Sequence, residues 1–218
     1  MRVFCDFDGT ISVSDTTDLV LNRFAALAWQ DLEASWVAGR ISAAECMRGQ
    51  IALLDCDIGS LEALLDTVEL APGFADFVAW CASEGIDFTI VSDGVDAFIR
   101  RILARCGLTH LPVVANKLAL NREWRLIDCE PRAGCAAGSG VCKCAVVAGA
   151  GNEDQLTVYI GDGRSDFCVS ARADILFAKG KLAEYSHSRG KPHHEFVDFY
   201  EIKATLAALH ADVFAAAV

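Results

Sequence analysis

The sequence predicts an α/β fold, a doubly wound parallel sheet with a helical cap inserted after the first strand. Three observations carry that prediction. Short apolar runs bounded by turn residues recur at Val3–Cys5, Phe88–Val91, Leu156–Ile160 and Ile175–Ala178, with helical patterns between them. Strands alternating with helices imply parallel pairing and helices on both faces. Thr89-Ile90-Val91 and Val158-Tyr159-Ile160 are continuously apolar, as strands covered on both sides are. The stretch from about Ser14 to Leu70 reads as entirely helical and is far longer than one crossover requires.

The elements follow in order. After the first strand, Ser14 or Asp15 caps a helix expected to run to about Val37. Ser42, with Glu45 three residues on, forms a capping box for a second helix. Ser60 and Glu62 suggest a third near Leu61–Thr67, and Ala71-Pro72-Gly73 punctuates the return. Residues 14–71 therefore read as the cap, and 1–13 with 72–218 as a Rossmann-like core. In the core, helical patterns cover Phe74–Ser83, Val95–Cys106 and Phe167–Arg172. Val113–Leu120 and Trp124–Ile127 flank Asn121-Arg122-Glu123 as a hairpin. An apolar helix from about Phe199 to Val218 could dock on the core or form a dimer contact, which leaves the oligomeric state open.

With 53% hydrophobic and 22% charged residues, the 218-residue chain can bury a sizeable core. Its formal net charge of −11 repels nucleic acid and gives no attraction to anionic lipid. The same field opposes an anionic substrate, which would need local cations. No apolar stretch approaches the roughly 20 residues that span a bilayer, and the first strand begins almost at once, so a soluble, cytoplasmic protein is expected. Ten cysteines without a secretory signal suggest buried thiols rather than a disulfide framework. The cluster Cys129, Cys135, Cys142 and Cys144 matches no standard zinc spacing; a redox-responsive pair beside Lys143 and plain structural thiols are the other readings.

The chemistry concentrates at strand ends, where open α/β sheets bind ligands. Asp6-Phe7-Asp8-Gly9-Thr10 follows the first strand. Positions i and i+2 of a strand share a face, so both carboxylates open into one crevice. Burying them together requires a compensating cation or donor, and a divalent metal with oxygen ligands, Mg²⁺ above all, supplies it. Ser92-Asp93-Gly94 follows the second long run, and Gly161-Asp162-Gly163-Arg164-Ser165-Asp166 follows the third. Alone, Ser92 is a turn former, Lys143 a solvated charge, and Asp166 a cap of the helical pattern behind it. Together they make a metal–phosphate site.

In DFDGT at 6–10, VSDG at 91–94, Lys143 in VCKC and GDGRSD at 161–166, the chain resembles the haloacid dehalogenase superfamily. The resemblance implies that Asp6 attacks phosphorus to form an aspartyl-phosphate and that Asp8 protonates the leaving oxygen and later activates water. It also implies Mg²⁺ held by Asp6, the carbonyl of Asp8 and Asp162, with Ser92, the nearby backbone of Asp93 and Gly94, and Lys143 on the transferring oxygens. Asp166 would orient Lys143 or a metal-bound water rather than ligate directly. A second carboxylate at Asp8 favours a phosphomonoesterase over a dehalogenase or a transport ATPase.

For the ester, two branches are similar. Cap placement and Val114–Leu118 resemble phosphoserine phosphatases, whose amine-holding cap glutamate maps to Asp15 and whose cap arginine maps to Gln50, with Arg48 beside it as a substitute cation. Phe4–Ile11, Gly39-Arg40-Ile41-Ser42, Ala71-Pro72-Gly73-Phe74 and Cys142-Lys143 resemble the 2-hydroxy-3-keto-5-methylthiopentenyl-1-phosphate phosphatases of methionine salvage. Phosphoethanolamine and phosphocholine phosphatases share a cysteine-rich approach to the lysine. A small phosphorylated metabolite is the expected partner. A phosphate-binding regulator without turnover and a phosphoryl-transferring mutase are the rival readings.

Overall fold

β1 (Arg2–Cys5) forms where Val3, Phe4 and Cys5 are all buried, which places it at the centre of the sheet. The computed structural model of the chain describes residues 1–120, 124–127, 129–131, 134–135, 137–149 and 155–215. β1 pairs in parallel with β2 (Asp87–Val95), Val3 opposite Phe88, and with β5 (Thr157–Gly161), Val3 opposite Val158. β3 (Val113–Leu120) lies parallel beyond β2, and β4 (Trp124–Ile127) turns back antiparallel on it. β6 (Ile175–Ala178) and the two-residue β7 (His194–Glu195) continue on the other side of β5. The resulting order is β4-β3-β2-β1-β5-β6-β7. The chain winds outward from β1 in one direction and resumes at β5 in the other. That reversal opens a crevice beyond the carboxyl ends of the central strands.

Between β1 and β2 stand α1 (Thr16–Phe24), α2 (Trp29–Val37), α3 (Ala43–Ala52) and α4 (Ile58–Leu65). Asp15 caps α1 by accepting from the Asp18 N–H at 2.9 Å. The single helix expected to reach Val37 is instead two, because Ala25 turns extended and bridges Leu54. Ser42 and Glu45 form the reciprocal capping box, with bonds of 3.2 and 2.8 Å. The last cap helix starts three residues earlier than expected. Asp57, not Ser60, is its cap, and Ser60 N–H donates to Asp57 at 2.8 Å.

The remaining helices are α5 (Phe74–Ser83), α6 (Asp96–Arg105), α7 (Lys143–Gly149), α8 (Gly180–Ser188) and α9 (Phe199–Ala215). β2 extends through Ser92-Asp93-Gly94 to Val95, with a register shift against β3, so the expected turn is strand. The helical pattern at 167–172 resolves into short 3₁₀ turns at Arg164–Asp166 and Val169–Arg172. The hairpin turn Asn121–Glu123 and the last residues of the expected C-terminal helix lie outside the described residues. No helix among the described residues is long and apolar enough to cross a membrane.

α9 docks on α5: the fully buried Phe199 ring sits 5.0 Å from that of Phe74 and 5.4 Å from that of Phe77. Phe199→Ala is expected to cost about 3–5 kcal/mol through the cavity it leaves. Urea titration checks this, and a loss under about 1 kcal/mol would mean α9 is dispensable to the core.

Candidate active site

At the end of β1 the chain leaves the sheet and Asp6 becomes buried, 5% exposed, with its Oδ1 accepting from the Phe7 N–H at 2.8 Å. Its Oδ2 meets the Lys143 ammonium at 2.7 Å. Lys143, on the first turn of α7, is 3% exposed and also contacts Asp166 Oδ1 at 2.7 Å and Ser165 Oγ at 3.0 Å. Burial alone would lower the Lys143 pKa, but Asp166 and Asp6 hold it above its usual value. Burial pushes Asp6 up, Asp166 adds to the push, and Lys143 opposes both.

Asp166 is not a helix cap. It is fully buried, and each of its oxygens already has two donors. Oδ1 accepts from Lys143 and from the Tyr159 hydroxyl at 2.5 Å, while Oδ2 accepts from the Asp162 and Gly163 N–H groups at 3.1 and 3.0 Å. It therefore fixes Lys143 and the loop carrying Asp162 at once. Asp162 accepts from the Thr10 hydroxyl at 2.5 Å. Gly9, at φ +71°, lets the first loop approach: a Cβ there would lie 2.7 Å from Asp162 Oδ2.

Asp8 has a different environment. Its Oδ1 accepts from the Thr16 N–H at 2.9 Å and from the Thr16 hydroxyl. Its Oδ2 faces Gly94, where a side-chain carbon would collide with it. Burial, then repulsion from Asp15, pushes its carboxyl up to about 7, against the Thr16 bonds. Asp8 thus retains a transferable proton near neutrality, two residues from a carboxylate held against an ammonium.

These groups open into a cavity of about 580 Å³. Asp6, Asp8, Ser92, Asp93, Gly94, Asp162 and Arg164 line its core side, and Asp15, Asp18, Glu33, Trp36, Met47 and Gln50 its cap side. Ser92 is buried and accepts from the Gly94 N–H at 2.9 Å, so that N–H is already engaged and Gly94 contributes room rather than a donor. Asp93 is held by Asn116, whose amide donates to its carbonyl at 2.6 Å.

Arg48 is not brought to the cavity. It donates to the Cys129 carbonyl at 3.0 Å and pairs with Glu130, while Gln50 faces the cavity and donates to Glu33 at 3.1 Å. Sequence reasoning gives no role to Tyr159, Thr10, Thr16 or Asn116. Tyr159 reads there as one more apolar strand residue, Thr10 closes DFDGT and Asn116 lies within Val114–Leu118 without a role of their own, and Thr16 carries no spacing signal. Of the clustered cysteines, Cys144 Sγ lies 3.0 Å from Cys168 Sγ, and Cys129 is buried with its thiol toward the Ala44 carbonyl.

Asp6, Asp162 and Asp166 each offer an oxygen within 4.8 Å of the others, a hard-oxygen set that fits Mg²⁺. Because the acceptor positions of Asp166 are taken, Asp6 and Asp162 are the two that could hold such an ion.

A family model described as haloacid dehalogenase-like hydrolase matches residues 3–170. The chain is 29% identical over 216 residues to a Brevibacillus brevis protein named 2-hydroxy-3-keto-5-methylthiopentenyl-1-phosphate phosphatase, with 97% of each chain covered. To the protein of the same name from Geobacillus kaustophilus it is 31% identical over 207 residues, 92% of each. It superposes on a phosphoserine phosphatase solved as a phospho-aspartyl intermediate analogue with a TM-score of 0.66, over 92% of this chain and 96% of that one, at 21% identity. A substrate-bound phosphoserine phosphatase complex gives 0.64, also at 21% identity, over 92% and 95%. At that identity the likeness is one of fold.

Removing the ammonium would leave Asp6 and Asp166 buried without a cation. Lys143→Met is expected to cost about 3–5 kcal/mol in metal-free protein. Denaturant unfolding in EDTA reads this directly, and an unchanged midpoint would show that the lysine does not stabilise the buried acids.

Proposed function

Because the chain belongs to the haloacid dehalogenase-like hydrolase family, we propose that it is a Mg²⁺-dependent phosphomonoesterase acting on a small phosphorylated metabolite. The observation that carries this is a pair of carboxylates held differently in one cavity. Asp6 is bonded to the Phe7 N–H and the Lys143 ammonium, and Asp8 to the N–H and hydroxyl of Thr16, while burial raises both. One suits attack and the other suits proton transfer.

In the first step an Asp6 carboxylate oxygen forms a bond to phosphorus and the ester P–O bond breaks. Asp8 gives its proton to the departing alkoxide. In the second step Asp8, now ionised, takes a proton from water; the water oxygen bonds to phosphorus, and the bond to Asp6 breaks to release inorganic phosphate. Ser92 and Lys143 stand by the transferring oxygens. Asp166 keeps Lys143 in place, which makes it a positioning residue. Asp6, Asp162 and the main-chain carbonyl of Asp8 would hold Mg²⁺, which when bound screens the nucleophile from the phosphate charge.

The names of the relatives bring one ester to this chain for a first assay, 2-hydroxy-3-keto-5-methylthiopentenyl-1-phosphate. Trp36, Val37 and Met47 line the side of the cavity where an apolar tail would lie.

Asp6→Asn is expected to lower phosphate release from p-nitrophenyl phosphate by about four orders of magnitude or more, since an amide cannot form the acyl-phosphate. Retained turnover would sink the assignment. Asp8→Asn should cost about 10²–10⁴-fold with alkyl esters, and less with p-nitrophenyl phosphate, whose leaving group needs no proton. Equal losses on both esters would argue against Asp8 as the acid. Chelation by EDTA should stop turnover and added Mg²⁺ restore it, whereas a regulator without turnover would release no phosphate under either condition.

A further inference from the structure

Lys143 stands between two cysteines, and each of them faces another sulfur. Cys142, before it, donates its thiol hydrogen to Cys135. Cys144, after it on the first turn of α7, donates to Cys168, 24 residues further along the chain, at a sulfur–sulfur distance of 3.0 Å. The Cys46 and Cys129 thiols, by comparison, stand 3.8 Å from their oxygen acceptors. Cys144 and Cys168 are free thiols, each half-buried. Burial, then the bond to Cys168, pushes the Cys144 thiol up to about 12, so Cys144 keeps its proton and Cys168 presents its lone pairs. Of the two, Cys168 lines a second cavity, of about 560 Å³, between the cap loop Gly39-Arg40-Ile41-Ser42 and the core. A small oxidant arriving from solvent meets that sulfur first.

The two sulfurs sit on segments that the active site also joins by charge. Cys144 follows Lys143 directly, Cys168 lies two residues past Asp166, and Lys143 and Asp166 meet at 2.7 Å. The Cys168 side is anchored, since Asp166 has donors on both oxygens and the Phe167 ring stacks on that of Tyr185, in α8, at 4.0 Å. A disulfide holds its sulfurs about 2 Å apart. Closing the pair therefore moves the α7 side by about an ångström, and Lys143 moves with it.

We propose that Cys144 and Cys168 form a peroxide-reactive dithiol, and that its closure into a disulfide pulls Lys143 off its acids. The Cys168 sulfur, as thiolate, attacks one peroxide oxygen. The O–O bond breaks, and the departing hydroxide takes up the proton lost by Cys168 and leaves as water. The Cys144 sulfur then bonds to the sulfenic sulfur of Cys168, the S–O bond breaks, and hydroxide leaves with the Cys144 proton as a second water. Two thiols are oxidised to one disulfide, and the peroxide is reduced to two waters. The disulfide is independent of the phosphatase reading, whereas its effect on turnover rests on that reading.

The full chain with Mg²⁺ is treated with hydrogen peroxide, remaining thiols are alkylated, and disulfides are mapped by mass spectrometry while p-nitrophenyl phosphate hydrolysis is followed in parallel. A Cys144–Cys168 link is expected, with a fall in kcat of about tenfold or more that dithiothreitol reverses. Cys168→Ser should keep the untreated turnover and resist peroxide, and Cys144→Ser should halt at a sulfenic acid on Cys168 that dimedone traps. Both thiols still open to alkylation after peroxide overturns the proposal. So does a link confined to Cys135 and Cys142, or a Cys144–Cys168 link that leaves turnover unchanged. The mapping uses the wild-type chain, so it decides whether or not the serine variants fold. If the untreated chain releases no phosphate, the phosphatase reading falls by itself, and the peptide masses still report the dithiol.

Discussion

One buried lysine holds this site together. Lys143 bridges Asp6 and Asp166 at 2.7 Å each, with all three residues nearly or fully removed from solvent. Isolated charges buried in this way are expensive, and a pair is tolerated only when its remaining donors and acceptors are satisfied. Asp166 meets that condition fully, with the Tyr159 hydroxyl and two N–H groups in addition to the ammonium. The arrangement requires the ends of β1 and β5 and the first turn of α7 to converge. Those are three segments far apart in sequence, and the parallel order of the central strands brings them together. Sheet topology and charge burial are therefore one constraint seen at two scales.

The same constraint explains why two carboxylates two residues apart behave differently. Asp6 lies against a cation and an N–H, whereas Asp8 turns toward α1 and meets only the N–H and hydroxyl of Thr16. Among the described residues no cation bonds to Asp8, and burial raises both carboxyls, Asp6 against its ammonium and Asp8 to about 7. What sets the two apart is a division of bonded partners. Gly94 belongs to this division, since a side chain there would occupy the space of Asp8 Oδ2.

The floor of the site was legible in the sequence because its residues announce themselves by position. A DFDGT after an apolar run, and a GDGRSD after another, place carboxylates at strand ends whatever the details of packing. What depended on tertiary contact was not legible. The link from Asp166 to Lys143 is an expectation of the family resemblance, but its bonds to Tyr159 and to the Asp162 and Gly163 N–H groups carry no sequence signal. Arg48 looks like a substrate cation until Glu130, remote in sequence, is seen to take it. The break at Ala25 arises from a bridge to Leu54, a partner that no local pattern names. Extension of β2 past Gly94 likewise follows from pairing with β3 that resumes at Val95 opposite Asn116, against the low strand propensity of glycine.

The net charge of −11 becomes intelligible when the cavity is divided into its two walls. An acidic protein that binds phosphate must concentrate cation where the phosphoryl group sits; on the floor Lys143 is the buried cation, beside an acidic group that could hold a metal ion. The cap wall makes no such concession: among the described residues Asp18 and Glu33 line the cavity without an ion-pair partner. Local structure accounts for both, since Asp18 stands in the first turn of α1, where the helix N-terminus favours an acid, and Glu33 accepts from the Gln50 amide. A wall of that sign attracts no phosphate, so the attraction for a phosphoryl group has to come from the floor alone.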